Sequence, residues 1–362
     1  MKIFAIGSSI TSAYWNGAAT YYQGIYKALH RLGYKITFAE PDIYGRQQHR
    51  EDVALDFVRV EIYRSVSELH RLLQRTTDMD LLVKHSGVGE ADGYLEELVL
   101  DFKSASTRLA FWDVDAPATL QRIEENPDDR FRKLIPQYDL ILTYGGGAPV
   151  MEHYTRLGAQ ECHPIYNGVD PETHFPVAPR EQFKCDLAFV GNRLPDREQR
   201  VEEFLTRAAH LAPEMQFVLG GEGWGSKTLP PNVRWIGHVK IEDHNAINCS
   251  ARTVLNVNRD SMAKTGFSPP TRIFEAAGAG ACVITDSWPG IELFFEPQSE
   301  VLIADSAEQV VNLLRTFDPA QVAGIGEKMR ARVLRDHTYS QRAAQVHEVL
   351  QSQAAAEVTV AR

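Results

Sequence analysis

The sequence is poor in the features that mark several classes of protein. Its 362 residues include only four cysteines, none of them in a C-x-x-C spacing, which argues against a disulfide scaffold or a cysteine-rich zinc site. It has no run of about 18 apolar residues, the length that a transmembrane helix needs. The apolar run at the N-terminus is also too short for a signal peptide. We therefore expect a cytoplasmic protein with reduced thiols, and peripheral contact with a membrane stays open.

Positive charge is also scarce. The chain has 38 Lys and Arg residues against 48 Asp and Glu residues, a formal net charge of −10. A protein that binds a phosphate backbone needs a basic surface, so no nucleic-acid partner is expected. The hydrophobic fraction of 44% is ordinary for a globular protein, and the length suits two domains.

Strand and helix patterns alternate through the first half of the chain. "KIFAIG" (2–7) is a short strand pattern, a helical pattern follows and ends at Gly33, and "ITFAEPD" (36–42) is the next strand pattern. The apolar positions at helical spacing are Tyr22, Ile25, Tyr26, Leu29 and Leu32. Three further apolar runs close in Gly or Asp: "DLLVKHSG" (80–87), "TRLAFWDVD" (107–115) and "DLILTYGGG" (139–147). This alternation predicts a parallel, doubly wound α/β sheet.

The composition changes around residues 164–180, where four prolines without periodicity predict a linker. A second series of strand patterns follows, at 185–190, 215–221, 233–239, 253–260, 281–286 and 300–305. We therefore expect two Rossmann-like domains, 1–170 and 171–335, facing a cleft that binds ligand at the carboxyl ends of the strands. The last helix, 336–352, has the length to return to the first domain, and the tail at 353–362 is expected to be mobile.

The stretch "SPPTRIFEAAGAGACVITD" contains a single glutamate, Glu275, among small residues. Pro269 and Pro270 cannot continue an earlier helix, which makes Thr271 a reasonable N-cap. The small residues let this helix approach its sheet closely, and its N-terminus suits a diphosphate. Glu275 then lies about one turn in, where a carboxylate can accept hydrogen bonds from a ribose diol. The structural alternative is an acid that merely favours the positive end of a helix.

These residues carry a resemblance to a known family. "VRWIGHV", "TVLNVNRD" and "TGFSPPTRIFEAAGAGACVITD" resemble the donor half of a GT-B glycosyltransferase, and "FWDVDAPAT", "YNGVDPETHFP" and "DLAFVGNR" extend the likeness over roughly residues 1–350. The likeness is greatest to the spore-maturation CgeB-like group, related to the retaining family-four enzymes. It implies a GT-B fold in which the first domain binds the acceptor. It also implies transfer of a sugar from a nucleotide diphosphate sugar to an acceptor (glycan, protein, lipid or metabolite), with retention, and without a metal or other cofactor.

The same resemblance assigns donor-binding residues. Glu275 occupies the position that binds the donor ribose. Arg193 in "FVGNR" occupies the position of a cation that stabilises the departing diphosphate, and Arg197 and Arg200 are the fallback candidates. The remaining expected donor contacts are Gly237, His238 and Val239 for the base, the backbone of Gly266, Phe267 and Ser268 for the diphosphate, and Thr271 and Arg272 at the helix start. One departure is Thr265, because relatives carry a second glutamate there. The sugar is therefore not inferred.

The first domain offers weaker candidates. Asp113 and Asp115 share one face of a strand in "FWDVDAP", which fits a divalent cation, an acceptor contact, or capping of the next helix by Asp115. The metal interpretation is disfavoured because the donor diphosphate belongs to the second domain. His85 in "KHSGVG" is a candidate base, as is Asp113 if the reaction inverts configuration. Gly17 in "WNGAATYY" lets an acceptor or phosphate approach the backbone, whereas "GGEGWG" (220–225) is interpreted as a structural turn.

Two functions of other classes stay open. One is a sugar-nucleotide epimerase or hydrolase on the same fold. The other is a catalytically weakened GT-B module that serves as a binding or scaffold protein, which the threonine at position 265 motivates.

Overall fold

The computed structural model describes residues 1–13, 16–50, 55–76, 78–89 and 91–360, with the backbone alone for 353–360. The chain divides into two compact units. The first comprises Met1–Asn167 and Tyr339–Arg362, and the second Gly168–Thr338. No helix within the described residues combines the length and the apolar character that crossing a bilayer requires.

The first unit is built on a parallel sheet. Its seven strands run in the order β3-β2-β1-β4-β5-β6-β7. They are β1 (Lys2–Ile6), β2 (Lys35–Pro41), β3 (Arg59–Tyr63), β4 (Leu81–His85), β5 (Arg108–Asp113), β6 (Leu140–Thr143) and β7 (Cys162–Pro164). Its helices are α1 (Ala19–Arg31), α2 (Val66–Arg75), α3 (Asp92–Leu98), α4 (Ala116–Glu125), α5 (Arg130–Leu134), α6 (Gly147–Arg156) and α14 (Tyr339–Val360).

Both faces of this sheet are covered, as a parallel sheet requires. Ile3 of β1 pairs with Ile36 of β2 on one side and with Leu81 of β4 on the other, so the strand order reverses direction at β1. One face packs on α1 and α14 through the aromatic cluster that includes Tyr21, Tyr26 and Trp112. The helices α2 to α6 cover the opposite face.

Helix α14 closes the first unit by packing on α1. A Cβ atom at Gly24 of α1 would lie 2.2 Å from the ring of Tyr339, so only glycine permits this approach. The residues of the predicted mobile tail at 353–362 are helical as far as Val360, and residues 361 and 362 lie outside the described residues.

The second unit has the same design with six parallel strands. Their order is β10-β9-β8-β11-β12-β13. They are β8 (Cys185–Val190), β9 (Phe217–Gly220), β10 (Val233–Trp235), β11 (Ala251–Asn256), β12 (Val283–Asp286) and β13 (Leu302–Ala304). The helices are α7 (Pro195–Val201), α8 (Ala208–Leu211), α9 (Ile241–Ser250), α10 (Asp260–Thr265), α11 (Thr271–Gly278), α12 (Ala307–Thr316) and α13 (Pro319–Asp336). A π-helical segment, Glu202–Arg207, joins α7 to α8.

The predicted α/β class with two doubly wound sheets is confirmed. Every strand pattern named above forms a strand. The sequence patterns missed β3 and β7, which are the edge strands of the first sheet. Strand β3 alternates charged with apolar residues and has one buried position, and β7 has only three residues, so neither carries the long apolar run of a central strand.

Candidate functional site

The candidate site lies at the carboxyl edge of the second sheet. The strand order changes direction between β8 and β11, and open parallel sheets bind ligands beside such a switch point. The loops that follow β8, β11 and β12 begin at Gly191, Val257 and Ser287, respectively. These are the loops that the fold offers to a ligand.

Helix α11 is fixed directly to this switch point. The guanidinium of Arg272 donates to the carbonyl of Val190, the last residue of β8, and to Asn256 Oδ1 at 3.2 Å, at the end of β11. It also lies over the ring of Phe189, 4.7 Å from its centroid. Burial lowers the pKa of Arg272 to about 10, against the opposing charges of Glu275 and Asp286. Arg272 therefore positions α11 and is committed to protein partners, rather than presenting its charge to a donor.

The start of α11 differs in one detail from the prediction. Pro270, not Thr271, is the N-cap residue, and its side chain offers no cap hydrogen bond. Thr271 is the first helical residue because proline at the preceding position already sets an extended backbone there. The side chain of the N-cap residue accepts no hydrogen bond from the N–H groups of the first turn. These N–H groups therefore suit an external anion.

Glu275 lies just past the first turn of α11, with 12% of its side chain exposed. Its Oε2 atom is 4.0 Å from Nδ1 of His244 on α9. His174 lies beside both, and one ligating atom from each of the three residues falls within 4.8 Å of the others. The alternative of a solvent-facing acid at a helix end does not fit this half-enclosed position.

Arg193 is already paired. Its Nε and Nη2 atoms donate to the two carboxylate oxygens of Glu198 at 2.6 and 2.9 Å. Hydrogen bonds from Arg193 and Lys227 lower the pKa of Glu198 to about 2. The fallback cations are engaged as well, since Arg197 donates to Asn192 O and Arg200 to Asp286. Glu198 thus occupies the Nε–Nη2 edge of Arg193, and a phosphate binds bidentately to that edge only if the pair separates.

The loop predicted to recognise the base divides into two parts. Gly237 has φ +70° and open space where a Cβ would lie, and His238 is exposed. Val239 is buried and packs against Gly220, where a Cβ would approach its Cγ2 to 2.6 Å. The side chain of Val239 therefore belongs to the core, and only the backbone of this residue is placed to meet a ligand.

The loop before α11 has a constrained backbone. Gly266 has φ +72°, and a Cβ there would lie 2.7 Å from Pro289. Phe267 adopts a left-handed φ of +49° and its N–H donates to Pro289 O at 2.7 Å. Such a conformation costs on the order of 1 kcal/mol in a residue with a side chain. Ser268 is buried, and its hydroxyl has no hydrogen-bond partner among the described residues.

Asp113 is a structural residue of the first unit. Its fully buried carboxylate accepts hydrogen bonds from the hydroxyls of Ser86 (2.7 Å), Thr119 (3.1 Å) and Tyr154 (2.5 Å). The N–H of Asp115 also donates to it at 3.0 Å. This carboxylate joins three elements of the fold, and its burial contradicts the expectation of an acceptor contact or a base.

Two other first-unit candidates are now placed. Asp115 is the N-cap residue of α4, as expected, but its side chain makes no cap hydrogen bond within the described structure. Gly17 is exposed, with nothing described within 4 Å of an added Cβ, so its role as an acceptor contact stays a prediction. Trp15 of the same stretch lies outside the described residues.

The comparisons with known proteins agree with this architecture. Residues 197–348 match the family model described as "Glycosyl transferase-like". The chain has the GT-B fold and carries a glycosyltransferase family domain. Over these residues the expectation of a glycosyltransferase is confirmed, and no curated protein matches the sequence.

Solved structures show the same fold at low sequence identity. Anabaena HepE in complex with UDP and glucose has a TM-score of 0.70 at 14% identity, covering 97% of this chain and 100% of that one. An α-glucosyltransferase in complex with UDP-glucose and DNA containing an abasic site has a TM-score of 0.69 at 13% identity, covering 97% and 98%. Sucrose-phosphate synthase from Thermosynechococcus elongatus has a TM-score of 0.67 at 14% identity, covering 98% and 100%.

His85 of the first unit is a core residue. It is fully buried in an aromatic cluster, and its Nε2 atom lies 2.6 Å from the hydroxyl of Tyr26. Burial, with a further contribution from the charge of Lys84, lowers the pKa of His85 to about 3. A buried, neutral imidazole does not meet an acceptor, so the expectation of His85 as a base is wrong. Its role is to pack in the aromatic core of the first unit.

This burial predicts a pH dependence of stability. The unfolded chain binds a proton on His85 near its ordinary pKa of about 6.5, whereas the folded chain binds it only near pH 3. The free energy of unfolding should therefore fall as the pH drops from about 6.5 toward 3, by up to about 1.4 kcal/mol per pH unit from this residue. Urea unfolding of the wild type and His85→Gln between pH 4 and 7 measures it, and parallel pH profiles would contradict it.

Sequence patterns overlooked two buried residues at the carboxyl edge of the second sheet. Asn258 is 1% exposed, and both its amide atoms lack hydrogen-bond partners among the described residues. Asp286, 1% exposed, accepts from the N–H of Asn258 and from Arg200. Both positions follow or end a strand at the carboxyl edge, in "LNVNRD" and "VITDS". That placement was the available signal.

Gly278 determines how closely α11 packs against Val169 and His174, and hence where Glu275 lies. A Cβ there would lie 2.6 Å from Val169 Cγ2 and 2.8 Å from the carbonyl oxygen of His174. Gly278→Ala should destabilise the fold by about 1–3 kcal/mol through overpacking. Gly324→Ala in α13, where no described atom lies within 4 Å of an added Cβ, should stabilise it by up to about 1 kcal/mol. Thermal unfolding of both variants tests this, and equal effects would contradict it.

Proposed function

We propose that this glycosyltransferase moves a sugar from a uridine diphosphate sugar to an acceptor hydroxyl. The observation that carries the proposal is the attachment of α11 to the switch point by Arg272, which places the helix N-terminus and Glu275 at the carboxyl edge of the sheet. The complexes of HepE and of the α-glucosyltransferase with UDP-glucose favour uridine as the base.

Each part of the donor then has a counterpart in the second unit. The carboxylate of Glu275 accepts hydrogen bonds from the ribose diol, and the first-turn N–H groups of α11 face the diphosphate. The buried amide of Asn258 and the hydroxyl of Ser268 supply further hydrogen-bonding groups. Arg193 stabilises the leaving diphosphate if it exchanges Glu198 for phosphate oxygens, because both are bidentate acceptors.

The finer features of the function are also proposals. Retention, with the departing phosphate taking the acceptor proton, and a reaction without metal follow from the likeness to the CgeB-like group. Burial of His85 and Asp113 supports this, because it leaves neither side chain as an accessible base in the first unit. The acceptor class (glycan, protein, lipid or metabolite) stays open, and the cytoplasmic location stays a prediction from the cysteines.

A thermal-shift panel of UDP, GDP, TDP, ADP and CDP tests the donor site. UDP alone should stabilise the protein, by about 2.7 kcal/mol at a hundredfold excess over Kd. Turnover of UDP-sugars without an acceptor then separates the alternatives, since an epimerase or hydrolase converts the donor alone and a transferase hardly does. Stabilisation by none of the five nucleotides would overturn the proposal and favour the scaffold alternative that Thr265 motivates.

A further inference from the structure

Three ligating side chains converge beside α11. His174 precedes β8, His244 lies on α9 and Glu275 on α11, and one ligating atom from each falls within 4.8 Å of the other two. His174 is buried, with 3% exposure. The side chains of His244 and Glu275 are 26% and 12% exposed. The cluster is thus half-enclosed and still open to a small ion from solvent.

The backbone around this cluster holds the three residues in place. Asn245, next to His244, donates from Nδ2 to the carbonyl of Thr173, next to His174, at 2.8 Å. The turn that carries His174 is closed by Asp170, whose carbonyl accepts from the N–H of His174 at 2.9 Å. Gly278 lets α11 lie directly against that turn, and Gly278 and Glu275 are three residues apart on one helix face. Three separate contacts therefore preorganise the cluster.

The donor set matches a zinc ion. Zinc binds imidazole nitrogen and carboxylate oxygen, and sites with two histidines and one glutamate keep a fourth position for water. Ligand atoms in a tetrahedral zinc site lie about 3.4 Å apart, given Zn–N distances near 2.0–2.1 Å. The present spacing, within 4.8 Å, exceeds this value by no more than about 1.4 Å, and the side chains of His244 and Glu275 are partly exposed.

We infer that His174, His244 and Glu275 form a zinc site that switches the donor site off. Zinc ligation occupies an oxygen of the Glu275 carboxylate and neutralises much of its charge, which leaves the ribose diol a weaker acceptor, so zinc and the donor act toward each other's exclusion. This exclusion rests on the proposed function of Glu275, whereas the metal site itself does not. The metal-free chain is the active form, in keeping with a reaction that needs no metal.

Titration of the metal-free full chain with Zn²⁺, and with Co²⁺ as a spectroscopic substitute, tests the site. Wild type should bind one ion per chain with nitrogen and oxygen ligation. His244→Asn should weaken binding by at least about tenfold, a loss that follows even from removing an outer-sphere partner of a metal ligand. His210→Asn, at an exposed histidine on α8, should bind as wild type does, and thermal unfolding checks that both variants are folded.

Competition with UDP tests the exclusion. Zinc should weaken UDP binding to the wild type more than to His244→Asn, and this comparison removes the effect of zinc chelation by UDP itself. Equal zinc affinity in wild type and His244→Asn would overturn the metal site. Zinc binding that leaves UDP affinity equally affected in both proteins would overturn the exclusion alone. If zinc binds as expected and UDP does not bind at all, the proposed function fails and the metal site stands.

Discussion

Replacement of Glu275 by alanine is expected to weaken UDP binding by about 10- to 150-fold. A hydrogen bond to a charged group contributes about 1.5–3 kcal/mol, and the half-enclosed carboxylate at the switch point is the group proposed to accept from the ribose. Isothermal titration calorimetry with UDP measures the loss. Glu275→Gln keeps one acceptor oxygen without the charge, so its affinity should fall between those of wild type and the alanine variant.

The matched control is Glu242→Ala. Glu242 is an exposed acid on α9, so its removal changes the net charge by the same amount without removing the proposed ribose contact. UDP affinity should be close to that of the wild type. An equal loss in both variants would mean that the long-range charge matters and the contact does not. An unchanged affinity in Glu275→Ala would make Glu275 a structural acid.

Replacement of Asp113 by alanine is expected to destabilise the first unit by about 4 kcal/mol. Four donors converge on this buried carboxylate, and a buried polar group left without its partner costs about 1–3 kcal/mol. The sum stays below four full penalties because the freed hydroxyls can rotate toward other acceptors. Urea unfolding at neutral pH, followed in a probe of the first unit, measures the change.

Asp115→Ala provides the comparison for Asp113. The two acids are two residues apart, but Asp115 is only partly buried and solvent can replace contacts of its carboxylate, so we expect a loss below about 1 kcal/mol. If Asp113→Ala instead left stability unchanged and abolished turnover, the carboxylate would be a catalytic group. The structural interpretation would then be wrong.

The sequence was informative about the sheets because central parallel strands are long apolar runs. Strand β4 reads "LLVKH" and is buried throughout, so its pattern was unmistakable despite Lys84. Strand β3 was missed because an edge strand is less buried than a central strand and so carries fewer apolar residues. Its alternation of Arg59 and Glu61 with apolar residues is the period-two pattern of a half-buried strand, and it lacks the continuous apolar run that marks the central strands.

The site was predicted less completely because side-chain pairing joins residues far apart in the chain. The resemblance indicated the position of Glu275. Nothing local to "FVGNR" showed that Arg193 would form an ion pair with Glu198, which lies five residues further along the chain. The resemblance assigns Arg272 to the donor, whereas β8 and β11 supply its partners from 82 and 16 residues away. His85 was predicted to be accessible because it ends a strand, and only the packing of α1 shows that it is buried.

The order of the units along the chain has a consequence for synthesis on the ribosome. Helix α14 belongs to the first unit but follows the second, which is roughly 170 residues long. Helix α1 ends at Arg31 and α14 begins at Tyr339, so at 5–20 residues per second about 15–60 seconds separate the emergence of α1 from that of its partner helix. Until then the surface of α1 around Gly24 that Tyr339 covers stays open to water and to other chains. The nascent first half therefore presents a surface for chaperones, and the second half can finish folding before the first is complete.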